Sequence, residues 1–169
     1  MSENDIQLAE YFLMPGYIFL TRTPHLISTV LGSCVAVSFW DGRNQCGGMA
    51  NYMYPSFSAP KKATSRYGNA ALEHMIRMFQ QEGIRNKDMC AQIFGGASDN
   101  SAACMKVARE NISVARSVLN ASRIRTISED VGGTMGRKIV YNTLKNEAIV
   151  YKVNTLRKGD WYPYAQDGR

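Results

Sequence analysis

The sequence has no apolar run long enough to cross a membrane, because its longest candidates, YIFL and CVAVSFW, are only strand-sized. Its first ten residues, MSENDIQLAE, are polar and show neither the basic region nor the apolar core of a signal peptide. The sequence therefore predicts a cytoplasmic protein without membrane insertion, in which the four cysteines are reduced.

Metal ligands and nucleotide-binding motifs are also scarce. The chain has two histidines, and its four cysteines are scattered without a Cys-x-x-Cys pair. A structural zinc site usually shows paired ligands at short spacing, so no metal is expected. The glycine motifs FGGA (94–97) and EDVGGTMGRK (129–138) match neither the Walker nor the dinucleotide fingerprint, so no cofactor is expected. They are interpreted as turns that need positive φ or close backbone approach, and the alternative interpretation is that these loops rim a cleft and shape it.

The basic character of the chain is mild. A net charge of +6 and a pI near 9.2 favour acidic partners at long range, but they describe solubility before function. The basic residues are dispersed and no nucleic-acid-binding motif is present. A nucleic-acid-binding module is therefore the weakest of the functional readings, and no nucleic-acid partner is expected.

The alternation of short apolar runs with two helical patterns predicts the fold class. One helix is predicted from Thr64 or Ser65 to Gly83 on an apolar stripe, and a second over residues 106–120. About eight strands surround them, with hairpins at DGRNQ and LKNE. The sequence thus predicts an α+β fold, an α/β sandwich of mixed or antiparallel sheets with two main helices packed on them. A flexible tail is predicted at 1–12, one domain at 13–153 and a C-terminal tail at 154–169, in which Trp161 to Tyr164 are aromatic.

Cys34 is the candidate for chemistry. It follows Gly32 and Ser33 at the start of the apolar strand CVAVSFW, where its sulfur could emerge beside free backbone N–H groups. Such groups can stabilise a developing oxyanion. The alternative is an inert, buried thiol, which is the commoner state of a free cysteine.

Six segments in register resemble one known family: TVLGSCVAV, CGGMANYMYP, RYGNAALEHMI, QIFGGA, VARENI and EDVGGTMGRKIVYN. They are similar in order and spacing to the CheD family, the chemoreceptor glutamine deamidases of bacterial chemotaxis. The resemblance spans about residues 15–153. It implies a CheD-like α/β sandwich that hydrolyses receptor glutamine side chains, and can also act on receptor methyl esters, with a cysteine nucleophile, a histidine base and a hydroxyl residue. It also implies a chemoreceptor cytoplasmic domain as partner, and a CheC-type phosphatase as a second one.

Carried over by position, the resemblance assigns the nucleophile to Cys34 and the hydroxyl to Ser28, with Thr29 on the other face of its strand. The string GGMANYMYP places Asn51 where the family has histidine. An amide can neither accept the thiol proton nor protonate leaving ammonia, so the general base is missing from its expected place.

Two readings of function therefore stay open. In the first, the protein is an active deamidase, with His25 as the one candidate for a replacement base, since His74 is expected at a helix surface. In the second, it is a catalytically impaired CheD homologue that binds a receptor or a CheC-type protein. Whether the chain is an enzyme is left open by the sequence.

Overall fold

The computed structural model describes residues 7–56 and 64–161. The strands are β1 (Ala9–Phe12), β2 (Ile18–Thr21), β3 (His25–Leu31), β4 (Val35–Asp41), β5 (Cys46–Tyr52), β6 (Cys90–Gly95), β7 (Arg125–Val131), β8 (Gly136–Asn142) and β9 (Glu147–Val153). The helices are α1 (Gly68–Gln81), α2 (Ala102–Ala121) and the short α3 (Lys158–Trp161), with a 3₁₀ turn at Asn86–Asp88. The predicted hairpins after β4 and β8 are confirmed.

The strands form two mixed sheets that pack face to face. The four-stranded sheet has the order β1-β3-β8-β9 and the five-stranded sheet the order β2-β5-β4-β6-β7. Among these described strands, β1 with β3 and β6 with β7 pair in parallel, and the other neighbours are antiparallel. One core lies between the five-stranded sheet and helices α1 and α2, and a second core lies between the two sheets. This arrangement of helices, sheet and sheet confirms the predicted α+β sandwich with two main helices.

The apolar stripe of α1 packs as predicted, because Leu72, Met75, Ile76 and Phe79 are all buried in the first core. The helix starts later than predicted, at Gly68. Ser65 does not cap it, since its hydroxyl donates to the carbonyl of Gly16. Helix α2 starts earlier than predicted, because the hydroxyl of Ser101 accepts a hydrogen bond from the N–H of Cys104 and caps the extra turn.

The predicted N-terminal tail needs correction. Residues 9–12 are not a loose tail, since they form β1 and pair in parallel with β3. At the other end, Asp160 of α3 forms an ion pair of 2.8 Å with Lys138 of β8, so this part of the predicted C-terminal tail packs on the domain. The rest of both tails, residues 1–6 and 162–169, lies outside the described residues, and so do Tyr162 and Tyr164. Among the described helices, none is long and apolar enough to cross a bilayer.

Candidate functional site

Cys34 lies in a three-residue loop between β3 and β4, and each carbonyl group of this loop accepts a hydrogen bond. The carbonyl of Gly32 accepts from the N–H of Ala97, and that of Cys34 accepts from the N–H of Gly96, both at 2.9 Å. The carbonyl of Ser33 accepts from Nδ2 of Asn111, also at 2.9 Å. In a planar trans peptide the N–H points away from the carbonyl, so the N–H groups of Ser33 and Cys34 point away from these partners.

The FGGA motif makes this close contact possible. Gly95 and Gly96 have φ values of +102° and +70°, which L side chains rarely adopt. A Cβ on Gly95 would lie 2.3 Å from the carbonyl oxygen of Cys34. The glycines are therefore needed for positive φ and close backbone approach, as the sequence predicted. They hold the loop of residues 32–34, which we call the cysteine loop.

The thiol of Cys34 sits almost buried at the base of an open cleft. Its residue is 8% exposed, and burial raises the thiol pKa to about 11. A hydrogen bond from the N–H of Cys34 itself acts in the opposite direction and lowers the thiol pKa. No charged group contributes to the pKa, so the thiolate has no ionic partner in the described structure.

The cleft above Cys34 has a volume of about 890 Å³ and is largely apolar. Its walls are formed by Met14, Pro15, Gly16, Tyr17, Met53, Thr64, Ser65, Arg66 and Trp161. Arg66 is the one charged residue among these. The indole of Trp161 packs over Gly32, with ring carbons 3.8 and 3.9 Å from where a Cβ would lie. Trp161 had no predicted role, and no local pattern could have placed it beside Cys34.

Asn51 lies on the same face of the five-stranded sheet as Cys34. It pairs directly with Ala36, and Ala36 and Cys34 both pack in the core between the two sheets. Nδ2 of Asn51 crosses to the other sheet and donates to the hydroxyl of Thr29 at 2.8 Å and to the carbonyl of Val30 at 3.3 Å. Oδ1 is buried without a hydrogen-bond partner in the described structure. No hydrogen bond joins Asn51 to the thiol in the part of the chain that the structure describes, so the predicted pair is near but not connected.

The predicted hydroxyl, Ser28, is not the one beside Asn51. Side chains alternate along β3, and Ile27, Thr29 and Leu31 are the buried residues that face the other sheet. Thr29 is 1% exposed and donates to the carbonyl of Leu13 at 2.7 Å while it accepts from Asn51. Ser28 lies on the opposite face of the strand. Thr29, and not Ser28, is therefore the hydroxyl that contacts Asn51.

Neither histidine lies at the site. His25 begins β3 and Cys34 follows its end, which separates them by roughly 20 Å of strand. The His25 ring instead bonds the carbonyl of Thr23 at 2.7 Å. His74 is exposed on α1, across the five-stranded sheet from Cys34. His25 as a replacement base is therefore wrong, and the surface position expected for His74 is confirmed.

Comparison with known proteins identifies the family of this chain. A sequence model of the family described as CheD chemotactic sensory transduction matches residues 53–152. A protein of Trichlorobacter lovleyi named probable chemoreceptor glutamine deamidase CheD is 40% identical over 154 residues, which cover 89% of this chain and 95% of that protein. The chain belongs to the CheD family.

Other relatives extend the same match. The CheD protein of Sulfurimonas denitrificans is 38% identical over 76% of this chain and 84% of its own length. The CheD 2 protein of Geobacter sulfurreducens is 30% identical over 91% and 96%. Both carry the name probable chemoreceptor glutamine deamidase. A solved structure, the hypothetical protein YfiH of Bacillus licheniformis, has a TM-score of 0.47 at 16% identity and covers 67% of this chain and 49% of that one. That likeness is too low to support an inference.

Proposed function

We propose that this CheD family member hydrolyses the side-chain amide of particular glutamines in chemoreceptor cytoplasmic domains, with Cys34 as the nucleophile. The position of Cys34 supports this function: its thiol lies at the base of an open cleft, on a loop that turns its own N–H toward the sulfur. The names of the relatives, chemoreceptor glutamine deamidase, supply the substrate class. The apolar walls of the cleft suit a helix of the receptor that presents its glutamine.

The reaction balances with the thiol and one water. The sulfur attacks the carboxamide carbon and the carbonyl electron pair moves to oxygen, where the N–H of Cys34 faces the charge. The tetrahedral intermediate expels ammonia, which takes the proton released by the thiol, and leaves a thioester. Water then hydrolyses the thioester to glutamate and restores the thiol. A glutamate methyl ester would lose methanol by the same route.

Proton transfer is the weak part of this site. A thiol with a pKa of about 11 is almost wholly protonated at neutral pH, and the amide of Asn51 cannot accept its proton. We therefore propose that Asn51 and Thr29 tie the two sheets together behind the thiol, and that solvent carries the proton. Turnover should then be slow at neutral pH and should increase as the pH rises.

The raised pKa and the distance of both histidines favour a second candidate function. In this reading the protein is a catalytically impaired CheD homologue that binds a receptor or a CheC-type phosphatase through the cleft. Partner binding would need the apolar walls of the cleft and Arg66. Cys34 would then only line the cleft and would not act as a nucleophile.

One experiment separates the two candidates. Ammonia release and the intact mass of cognate receptor cytoplasmic domains should be followed with wild type, Cys34→Ala and Asn51→His. Conversion of glutamine to glutamate by wild type, lost in Cys34→Ala, supports the deamidase. No conversion by wild type even in alkaline buffer, together with conversion by Asn51→His, supports the impaired homologue.

A further inference from the structure

Among the described residues no backbone N–H donates to the carbonyl of Ser33, and a buried side chain of α2 does so instead. Asn111 is fully buried, and its Nδ2 donates to the carbonyl of Ser33 at 2.9 Å and to the carbonyl of Met53 at 3.0 Å. Both partners are acceptors only, so the orientation of the amide is fixed. Asn111 therefore ties the loop before β4 to the end of β5 and to α2.

The three peptide groups of the loop differ in what holds them. The carbonyls of Gly32 and Cys34 are bonded by main-chain N–H groups, which side-chain changes on α2 leave intact. The carbonyl of Ser33 belongs to the same peptide plane as the N–H of Cys34. A rotation of that plane would turn the N–H away from the sulfur, and the Asn111 side chain is the described group that resists this rotation.

Asn111 also leaves its own oxygen unsatisfied. Oδ1 is buried without a hydrogen-bond partner among the described residues. An unpaired buried acceptor is unfavourable, and an apolar residue of similar size would avoid it. The advantage of an amide over an apolar side chain at position 111 is therefore the pair of hydrogen bonds that Nδ2 donates.

We propose that Asn111 is a positioning residue for the chemistry of Cys34: by holding the Ser33 carbonyl, it aims the N–H of Cys34 at the sulfur and at the oxyanion that forms on a bound carboxamide. The inference rests on the proposed function for its catalytic consequence. Its effect on the thiol is independent of turnover, because the same N–H stabilises a thiolate in the free protein.

The test compares Asn111→Leu, which keeps the number and branching of the side-chain heavy atoms and removes both hydrogen bonds, with Asn86→Leu as a matched control. Asn86 also donates from Nδ2 to a carbonyl, that of Ser122, at 3.0 Å. That contact lies eleven residues further along α2, or about 16 Å. Alkylation of Cys34 by iodoacetamide is followed in the full-length chain across pH, and peptide mass spectrometry isolates this thiol from the other three.

In Asn111→Leu we expect the pH midpoint for Cys34 alkylation to rise. The alkylation rate at pH 8 should then fall about tenfold for each pH unit by which the midpoint rises. Asn86→Leu should match wild type. Where wild type deamidates a receptor domain, Asn111→Leu should lower kcat by on the order of 10²-fold and leave KM unchanged.

An unchanged midpoint in a folded Asn111→Leu overturns the proposal, even if wild type deamidates. A raised midpoint in a chain that releases no ammonia supports the positioning role and counts against the proposed function alone. If Asn111→Leu does not fold, Asn111→Ser replaces it under the same measurement. If neither variant folds, Asn111 is a structural residue and the proposal is overturned.

Discussion

The amide of Asn51 donates a 2.8 Å hydrogen bond to the hydroxyl of Thr29, which in turn donates to the carbonyl of Leu13. This chain of bonds crosses from one sheet to the other directly behind the cleft of Cys34. The Asn51 side chain therefore joins the two sheets, and its amide carries no titratable group.

Thr29→Val should destabilise the fold and Ser28→Ala should not. Valine keeps the shape of threonine but leaves the N–H of Asn51 and the carbonyl of Leu13 without this partner, a cost of about 1–3 kcal/mol. Ser28 lies on the other face of β3 and its truncation should stay within roughly 0.5 kcal/mol. Urea unfolding of both variants checks this, and equal midpoints would show that the hydrogen bonds of Thr29 do not stabilise the fold.

Asn51→His should create or accelerate deamidase activity. An imidazole at this position can accept the thiol proton and then protonate ammonia, which typically contributes about 10²–10⁴ in rate. An imidazolium beside Cys34 should also lower the pH midpoint of its alkylation. Asn51→Gln is the control, because it lengthens the side chain without adding a titratable group. Equal ammonia release by the two variants would show that proton transfer is not what limits this site.

Cys34 should react as a thiol of unusually high pKa. Burial raises its pKa to about 11, so alkylation should increase about tenfold per pH unit from pH 7 to 10 and level off only near 11. In urea the same thiol should show a midpoint of about 8.5. A midpoint below 8 in the folded chain would reveal a cationic partner that the geometry does not show.

The same pKa sets a stability window. Because the folded state holds the proton more tightly than the unfolded state, this contribution to stability is complete below about pH 8.5 and is lost as the pH rises toward 11. Thermal unfolding of wild type and Cys34→Ala from pH 8 to 11 measures this contribution. Over that range the melting temperature of the wild type should fall further than that of Cys34→Ala. Parallel curves would contradict the burial of the thiol.

Local patterns in the sequence were enough to predict the sandwich, the stripe of α1, the two hairpins and the position of Cys34 before an apolar strand. Alternation along β3 shows that Ser28 and Thr29 face opposite ways, but which of them faces Asn51 depends on the packing of two sheets. Likewise Asn111 and Trp161 reach the cysteine loop only through tertiary contacts from distant parts of the chain. Periodicity carries no information on such contacts.

Gly95→Ala should cost more stability than Gly132→Ala, although both positions have positive φ. A Cβ on Gly95 would meet the carbonyl oxygen of Cys34 at 2.3 Å, while a Cβ on Gly132 would meet nothing within 4 Å. We expect a loss of roughly 1 kcal/mol at Gly132 from backbone strain, and roughly 2–4 kcal/mol at Gly95 from strain plus the clash. Chemical denaturation measures both losses. Equal losses would mean that the cysteine loop can move away from the added Cβ without a loss in the free energy of unfolding.

Trp161→Ala should expose Cys34. The indole packs over Gly32 and forms one wall of the cleft, and the ion pair between Asp160 and Lys138 anchors the helix that carries it. Removing the ring should raise the rate of Cys34 alkylation several-fold at constant pH, and Lys138→Ala should act in the same direction more weakly, because a partly exposed ion pair contributes little. Tyr151→Ala, which removes an exposed ring from β9, is the control and should leave the rate unchanged. If Trp161→Ala and Tyr151→Ala react alike, the C-terminal helix does not restrict access to the thiol, and the low exposure of Cys34 comes from the sheets alone.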